Sequence, residues 1–367
     1  MNDYYSYDKI DETGALYRIA IGERSNGKTY GFKKKCVDNW LQKNKQFALI
    51  RRTEEEVKPS LITTYFADME DYLVEEFKNA YPQYETVVIK AGQGCFRLYG
   101  FDSDGIKYEL GIMGYYFALS STIKAKGSQY PNVTIIGFDE FMTNERELKD
   151  EFTKFINLIS TIIRKRTDVT IYMMGNTVNR RSQLLQGMNI NVTKLKQGEI
   201  SMFYTYHNNG DIANKIAVEY CRHYESPKES EAYFRFDNPK EAMIINGAWE
   251  IDEYPLFENE ELLSEKIIAG FIFEDSCMRL YAYLTDKKKL YITTERVIKR
   301  VNFITLTIGN TYCERRVFNW NCGIAQIEKI KKKIMFLFIN GKIKYSSNLV
   351  GDDFRHYLLE VNKKGAL

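Results

Sequence analysis

The stretch that decides the fold is ALYRIAI at residues 15–21 followed by GERSNGKT at 22–29. A short apolar run of strand formers gives way to a loop of the pattern G-x-x-x-x-G-K-[ST]. A helical pattern then runs from Lys28 to Lys43, with Tyr30, Cys36, Val37, Trp40 and Leu41 at roughly helical spacing. Strand, glycine loop and helix in that order turn backbone N–H groups and a helix N-terminus toward an anion. Gly22 and Gly27 keep the bends free of side chains that would block a phosphate. Lys28 reaches β- and γ-phosphates as a point charge, and the Thr29 hydroxyl coordinates Mg²⁺. Arg24, inside the loop, either adds a charge near the γ-phosphate or is a solvated loop residue.

Working outward, Gln46–Ile50 reads as a strand and Leu61–Ala80 as an amphipathic helix. Three β-rich pieces follow at Glu85–Lys90, Cys95–Phe101 and Tyr108–Leu119. Val133–Phe138 (VTIIGF) is a nearly continuous apolar run, as expected of a strand buried on both faces of a parallel sheet. It ends in Asp139, placed to bind the Mg²⁺ shell, and Glu140, placed to polarise an attacking water. The second acid, and the lack of an Asn-Lys-x-Asp signature, favour an ATPase over a GTPase, so ATP and Mg²⁺ are the expected cofactors. Glu147–Arg164 is a second amphipathic helix and Val169–Met174 another buried strand. This strand is expected between the loop strand and the acidic strand of a five-stranded sheet, which puts Asn176 beside the nucleotide to hold water or sense the γ-phosphate. Strands alternating with helices imply parallel α/β architecture.

Beyond Asn176, Ile200–Tyr206 reads as an edge strand and Asp211–Tyr224 as a helix. A Pro- and acid-rich stretch at 225–261 connects to further strands at Ile267–Glu274, Met278–Leu284 and Lys289–Thr294. Helices are expected at Lys329–Phe338 and Asp352–Val361. The expected domains are 1–207 (P-loop ATPase), 208–250 (linker) and 251–367 (α+β). Residues 276–367 hold 18 Lys+Arg against 7 Asp+Glu, whereas residues 1–275 carry a net charge of −8. A basic end behind an acidic front suits a polyanion partner. The six cysteines include no Cys-x-x-Cys pair and the three histidines no metal-ligand spacing, so a metal is expected on oxygen ligands. No run reaches the ~18 apolar residues of a membrane helix, and the N-terminus lacks a signal-peptide pattern. A soluble intracellular protein without a membrane partner is expected.

Arg164-Lys165-Arg166 closes the helix that starts at Glu147. It either complements a helix C-terminus or supplies an arginine finger to a neighbouring subunit.

Together these residues resemble the genome-packaging ATPases (encapsidation proteins) of φ29-like small podophages, which are related to the FtsK/HerA and terminase motors of the ASCE P-loop class. The resemblance is carried by the P-loop with Arg24, by Phe47-Ala48-Leu49-Ile50-Arg51-Arg52, and by Tyr130-Pro131-Asn132-Val133 leading into Phe138-Asp139-Glu140-Phe141. Ile163-Arg164-Lys165-Arg166 and Phe338-Ile339-Asn340-Gly341-Lys342 complete it. The resemblance implies a homopentameric ring motor at the portal of a procapsid, acting in the host cytoplasm and moving double-stranded DNA with ATP. It implies Arg164 and Lys126 as residues offered in trans to the neighbour's nucleotide, with Arg166 able to share the finger's role. It also implies a C-terminal RNase H-like nuclease domain that has lost its catalytic acids. A prohead RNA is a further family partner for which no RNA-specific motif stands in this sequence.

The residues of the C-terminal portion agree with a degenerate nuclease. A two-metal nuclease needs several converging carboxylates, and the acids on or beside the predicted strands are Glu274, Asp275, Asp286 and Glu295 alone. Lys287-Lys288-Lys289, Arg315-Arg316 and Lys331-Lys332-Lys333 are either phosphate contacts or solvated faces. Two alternatives stand beside the motor: a terminase-like motor with an active nuclease, and an ATP-gated DNA-binding protein without motor activity.

Overall fold

The computed structural model describes residues 5–121, 129–143, 147–178, 180, 182–192, 195–222, 252–275, 278–308 and 316–364. The chain divides into two compact units, Met1–Glu250 and Ile251–Leu367.

In the first unit, α1 (Asp8–Asp11) precedes β1 (Tyr17–Gly22), α2 (Lys28–Lys43), β2 (Gln46–Arg51), α3 (Pro59–Ile62) and α4 (Glu70–Ala80). Then come β3 (Thr86–Gly92), β4 (Cys95–Phe101), β5 (Lys107–Ala118) and β6 (Val133–Asp139). They are followed by α5 (Glu151–Ile163), β7 (Thr170–Asn176), α6 (Gln183–Gly187), β8 (Ile200–Tyr206) and β9 (Ile212–Tyr220). The strands form one sheet in the order β3-β4-β5-β2-β6-β7-β1-β9-β8. From β5 to β9 all neighbours are parallel, while β3 and β4 at one end and β8 at the other add antiparallel pairs. β7 lies between the loop strand β1 and the acidic strand β6, in a sheet wider than the five strands expected.

Both faces of the parallel core are covered, which is why its strands read as unbroken apolar runs. Ile19, Ile50, Ile136 and Phe138 meet Phe155, Leu158 and Ile162 of α5 on one face. Ala20, Phe47, Leu49 and Met174 meet Phe32, Cys36 and Trp40 of α2 on the other. Gly137 is the contact that lets α2 settle: a Cβ there would come within 2.1 Å of the fully buried Phe32 ring.

Two expectations fail here. The Asp211–Tyr224 segment is a strand, β9, paired in parallel with β1 from Tyr17↔Ile216 to Ile21↔Tyr220. Ile212, Ile216, Ala217 and Tyr220 fit a helical spacing as well as a strand, and burial of Ile216, Ala217 and Val218 beside β1 decides the matter. Residues 212–220 therefore belong to the first unit's sheet and not to a linker starting at 208; residues 223–250 of that segment lie outside the described residues. The single helix expected over Leu61–Ala80 is broken into α3 and α4. Thr63 and Thr64 turn their hydroxyls onto the carbonyls of Pro59 and Leu61 and compete with the helical ladder.

The second unit contains α7 (Asn259–Ser264), β10 (Ile267–Glu274), β11 (Arg279–Thr285), β12 (Leu290–Thr293), β13 (Phe303–Thr307), β14 (Val317–Asn319), α8 (Ala325–Ile339), β15 (Ile343–Tyr345) and α9 (Asn348–Lys364). Its sheet runs β14-β13-β10-β11-β12-β15. The pairs β10/β11 and β11/β12 are antiparallel, and β13 on β10, β14 on β13 and β15 on β12 are parallel. Phe273, Leu306 and Trp320 pack with Ile327, Ile334 and Leu337 of α8 and Phe354 and Tyr357 of α9. The short strands β13–β15 had no counterpart in the sequence reading.

Gly137→Ala is expected to lower stability by about 1–3 kcal/mol through overpacking of Phe32. A urea midpoint unchanged from the parent would show that α2 does not depend on this contact.

Candidate functional site

The candidate site lies at the carboxyl ends of β1, β6 and β7 and the N-terminus of α2. Ligands of open parallel sheets bind at such ends. The two loop glycines serve different ends. Gly27 takes a left-handed backbone, φ 93°, as the cap of α2. Gly22 is packed too closely for any side chain, since a Cβ there would sit 2.8 Å from Cys221 Cβ. Cys221 follows β9 directly, and its N–H donates to Ile21 O at 2.8 Å.

Lys28 is 5% exposed. Its Nζ donates to Glu23 O at 2.6 Å and to Asn26 Oδ1 at 3.0 Å. Burial pulls the ammonium down to about 8, against the opposing influence of Cys221, Glu23 and Asp139. Thr29 Oγ1 donates to Asp139 Oδ1 at 2.9 Å, so the loop hydroxyl and the strand-end acid share one spot. Two hard oxygen donors in contact suit a magnesium ion, which takes few protein ligands and keeps several waters. Arg24 is exposed on the loop. Asn176 ends β7 in register with Gly22, one strand away from the acids, and Thr177 N–H donates to Gly22 O at 3.2 Å.

Glu140 turns the chain away from β6 in a left-handed conformation, φ 55°, with its carboxylate exposed. Two arginines at the end of β2 hold that corner, and the sequence reading gave neither a role. Arg51 donates to Asp139 Oδ2 and Glu140 Oε2, both at 2.8 Å. Arg52 is buried and donates to the backbone oxygens of Glu140, at 3.1 Å, and Phe141, and to both carboxylate oxygens of fully buried Glu151. The available signal was a paired arginine closing an apolar strand, a place where charge needs a partner. Asn26, Cys221 and Tyr5 were missed as well. Tyr5 donates from its N–H to Asn26 O at 2.9 Å and from its hydroxyl to Glu219 Oε2 at 2.7 Å, strapping the loop from behind.

The structure does not bring Arg164 to this site. It closes α5, which returns from the carboxyl end of β6 to the amino end of β7, so Arg164 stands about 20 Å, a seven-residue strand's length, from the loop. Arg166 is tied to its own chain through Tyr130 O, Ile162 O and Asp168. Lys126 lies outside the described residues.

In the second unit, Lys287 pairs with Glu265 at 3.1 Å, Lys289 lies 4.0 Å from Glu261, and Lys331 pairs with Glu328 at 2.6 Å. Lys332 and Lys333 are exposed on α8. Arg315 lies outside the described residues.

A mixed α/β protein with its candidate site at the carboxyl ends of parallel strands is thereby defined. The chain belongs to the podovirus DNA encapsidation protein (Gp16) family, whose sequence model matches residues 2–186. It is 29% identical over 364 residues to a DNA packaging protein of Bacillus phage B103, covering 94% of this chain and 95% of that protein. A DNA packaging protein of Bacillus phage phi29 is 27% identical over 179 residues, 48% of this chain and 47% of that one. Among solved structures, a chain of the bacteriophage phi-29 viral genome packaging motor assembly is similar in fold. It has a TM-score of 0.57 at 17% identity, over 99% of this chain and 100% of that one.

Lys28 must be charged to attract phosphate. Affinity for ADP is therefore expected to hold below about pH 8 and to fall as pH rises through that value, because the ammonium loses its proton there. Calorimetry from pH 6.5 to 9.5 checks this, and an equally steep fall in Lys28→Ala would assign the titration elsewhere.

Proposed function

We propose that this protein is the ATP-hydrolysing subunit of a viral motor that moves double-stranded DNA into a procapsid. The observation that carries the proposal is the meeting of Lys28, Thr29 and Asp139 at the N-terminus of α2, with Glu140 beside them. Membership of the encapsidation family and the names of its relatives support the DNA substrate.

The loop N–H groups of Gly22–Thr29 and the end of α2 receive the phosphates, and Lys28 adds a point charge. A magnesium ion held by Thr29 and Asp139 would neutralise charge on the β- and γ-phosphates. Glu140 orients and deprotonates the attacking water, and Asn176 holds that water or senses the γ-phosphate. Arg51 keeps Asp139 and Glu140 at a fixed separation. Arg24 adds charge from the loop.

Arg164 acts in trans. Its place at the far end of the sheet supports a neighbour's site as its target, with Arg166 two residues on able to share that role. Lys126 joins it by resemblance alone. The assembly is a homo-oligomeric ring, a pentamer by resemblance, docked on the procapsid portal in the host cytoplasm, with a prohead RNA as a further partner. Residues 1–222 with the connecting segment up to 250 form the ATPase part, and 251–367 a vestigial nuclease. Numbered from β10 to β14, five of the second sheet's six strands have the order 3-2-1-4-5, the first three antiparallel and the last two parallel to the first, with β15 added beside β12; that core order supports an RNase H-like fold. Among the described residues no three acidic, histidine or cysteine side chains converge, and Glu274 pairs with Arg279; both favour a DNA-holding over a DNA-cutting role.

DNA-stimulated ATP hydrolysis is expected to drop by at least about 100-fold in Lys28→Ala and in Glu140→Gln, the range for loss of a positioned acid–base group. Robust turnover by either would remove the mechanism. Mixing Arg164→Ala with Glu140→Gln subunits is expected to restore part of the activity, and no rescue at any ratio would count against a finger in trans. Plasmid incubated with the full chain and Mn²⁺ should stay uncut; reproducible nicking would favour an active nuclease.

A further inference from the structure

The Lys28 ammonium has three N–H donors, and two are already committed within the loop. The bond to Glu23 O is to backbone and exists whatever side chain stands at 23. The bond to Asn26 Oδ1 is made by a side chain, and the same oxygen also accepts from Lys28 N–H at 3.3 Å. A polyphosphate that takes two donors from Lys28 must therefore displace one of these acceptors, and the longer bond, to the Asn26 carboxamide, is the one a substitution can remove.

That carboxamide is not free to turn aside. It is buried with its residue, and its Nδ2 finds no hydrogen-bond partner. Nδ2 lies 3.2 Å from the point a Cβ on Gly22 would occupy, and Cys221 Cβ and Sγ close the same space at 2.8 and 3.4 Å. The amide is wedged between the first loop glycine and the residue that ends β9. The Tyr5 N–H holds Asn26 from the backbone, and its hydroxyl returns to Glu219 on β9. Cys221 and the Tyr5 hydroxyl thus tie the loop to β9 and the residue after it.

We propose that Asn26 is a positioning residue that competes with nucleotide phosphate for the Lys28 ammonium, and that Cys221 sets how firmly it does so. Nucleotide affinity is then set in part by the residue that follows β9. The inference rests on nucleotide binding at this loop.

The test is calorimetry of ADP with Mg²⁺ on the full chain, alongside the apparent KM for ATP. Asn26→Ala is expected to bind ADP about tenfold tighter, the worth of one hydrogen bond to a charged group, and to lower KM more than it changes kcat. Cys221→Ala, which loosens the wedge, is expected to gain about threefold, with the double variant no tighter than Asn26→Ala. An unchanged or weaker affinity in Asn26→Ala, with an unchanged unfolding midpoint, overturns the proposal. Additive gains overturn the role of Cys221. Should Asn26→Ala fail to fold, Cys221→Ala alone decides, because a merely structural cysteine gives no gain in affinity. Equal, negligible binding by the parent and Lys28→Ala would instead remove the nucleotide site itself.

Discussion

Two adjacent guanidinium groups at the end of β2 are the constraint on which the site depends. Burying positive charge at a sheet end is costly unless it meets opposite charge or backbone oxygens. Arg52 finds Glu151 and two backbone oxygens, and Arg51 finds both acids that end β6. The backbone bonds of Arg52 fix the left-handed turn at Glu140, and the side-chain bonds of Arg51 fix where the carboxylates point. The acid corner is thus set by a neighbouring strand rather than by its own.

The loop is treated in the same way. Its front is a glycine bend and a helix N-terminus, but its back is built by distant chain: Tyr5 and Tyr7 from the N-terminal segment and Cys221 from the end of β9. Each contacts the loop through backbone or through space that a side chain on the loop would fill. This explains why Gly22 is needed even apart from any ligand.

Most of the first unit was legible in the sequence because its central strands are buried on both faces and its site carries a spaced motif. β1, α2, β2, β6 and β7 follow from apolar runs and punctuation, and Asn176 beside Gly22 follows from the strand order. What was not legible depended on neighbours. β9 carries an apolar spacing that fits two periods, and only its seat beside β1 selects one. The break between α3 and α4 comes from two threonine hydroxyls. β13, β14 and β15 are five, three and three residues long, too short for a pattern to stand out. The roles of Arg51 and Arg52 are pairings across space, for which the sequence offers only the arginine pair itself, and Asn26, though local, sits at a position that the loop pattern leaves open. The lysine run at 287–289 read as either a phosphate contact or a solvated face, because Glu261 and Glu265, which partner Lys289 and Lys287, lie more than twenty residues upstream.

The pairing of β1 with β9 has a consequence for biogenesis. The Tyr5–Glu219 bond spans 214 positions. At about 5–20 residues per second of synthesis, the strand that completes the first one emerges about 10–40 s after it. During that interval the nascent glycine loop has Tyr5 and Tyr7 behind it but not Cys221, and so distant a contact makes closure slow even once the chain is complete. A chain whose synthesis has passed Gly22 but not Cys221 therefore carries the glycine bend with the space behind it still open.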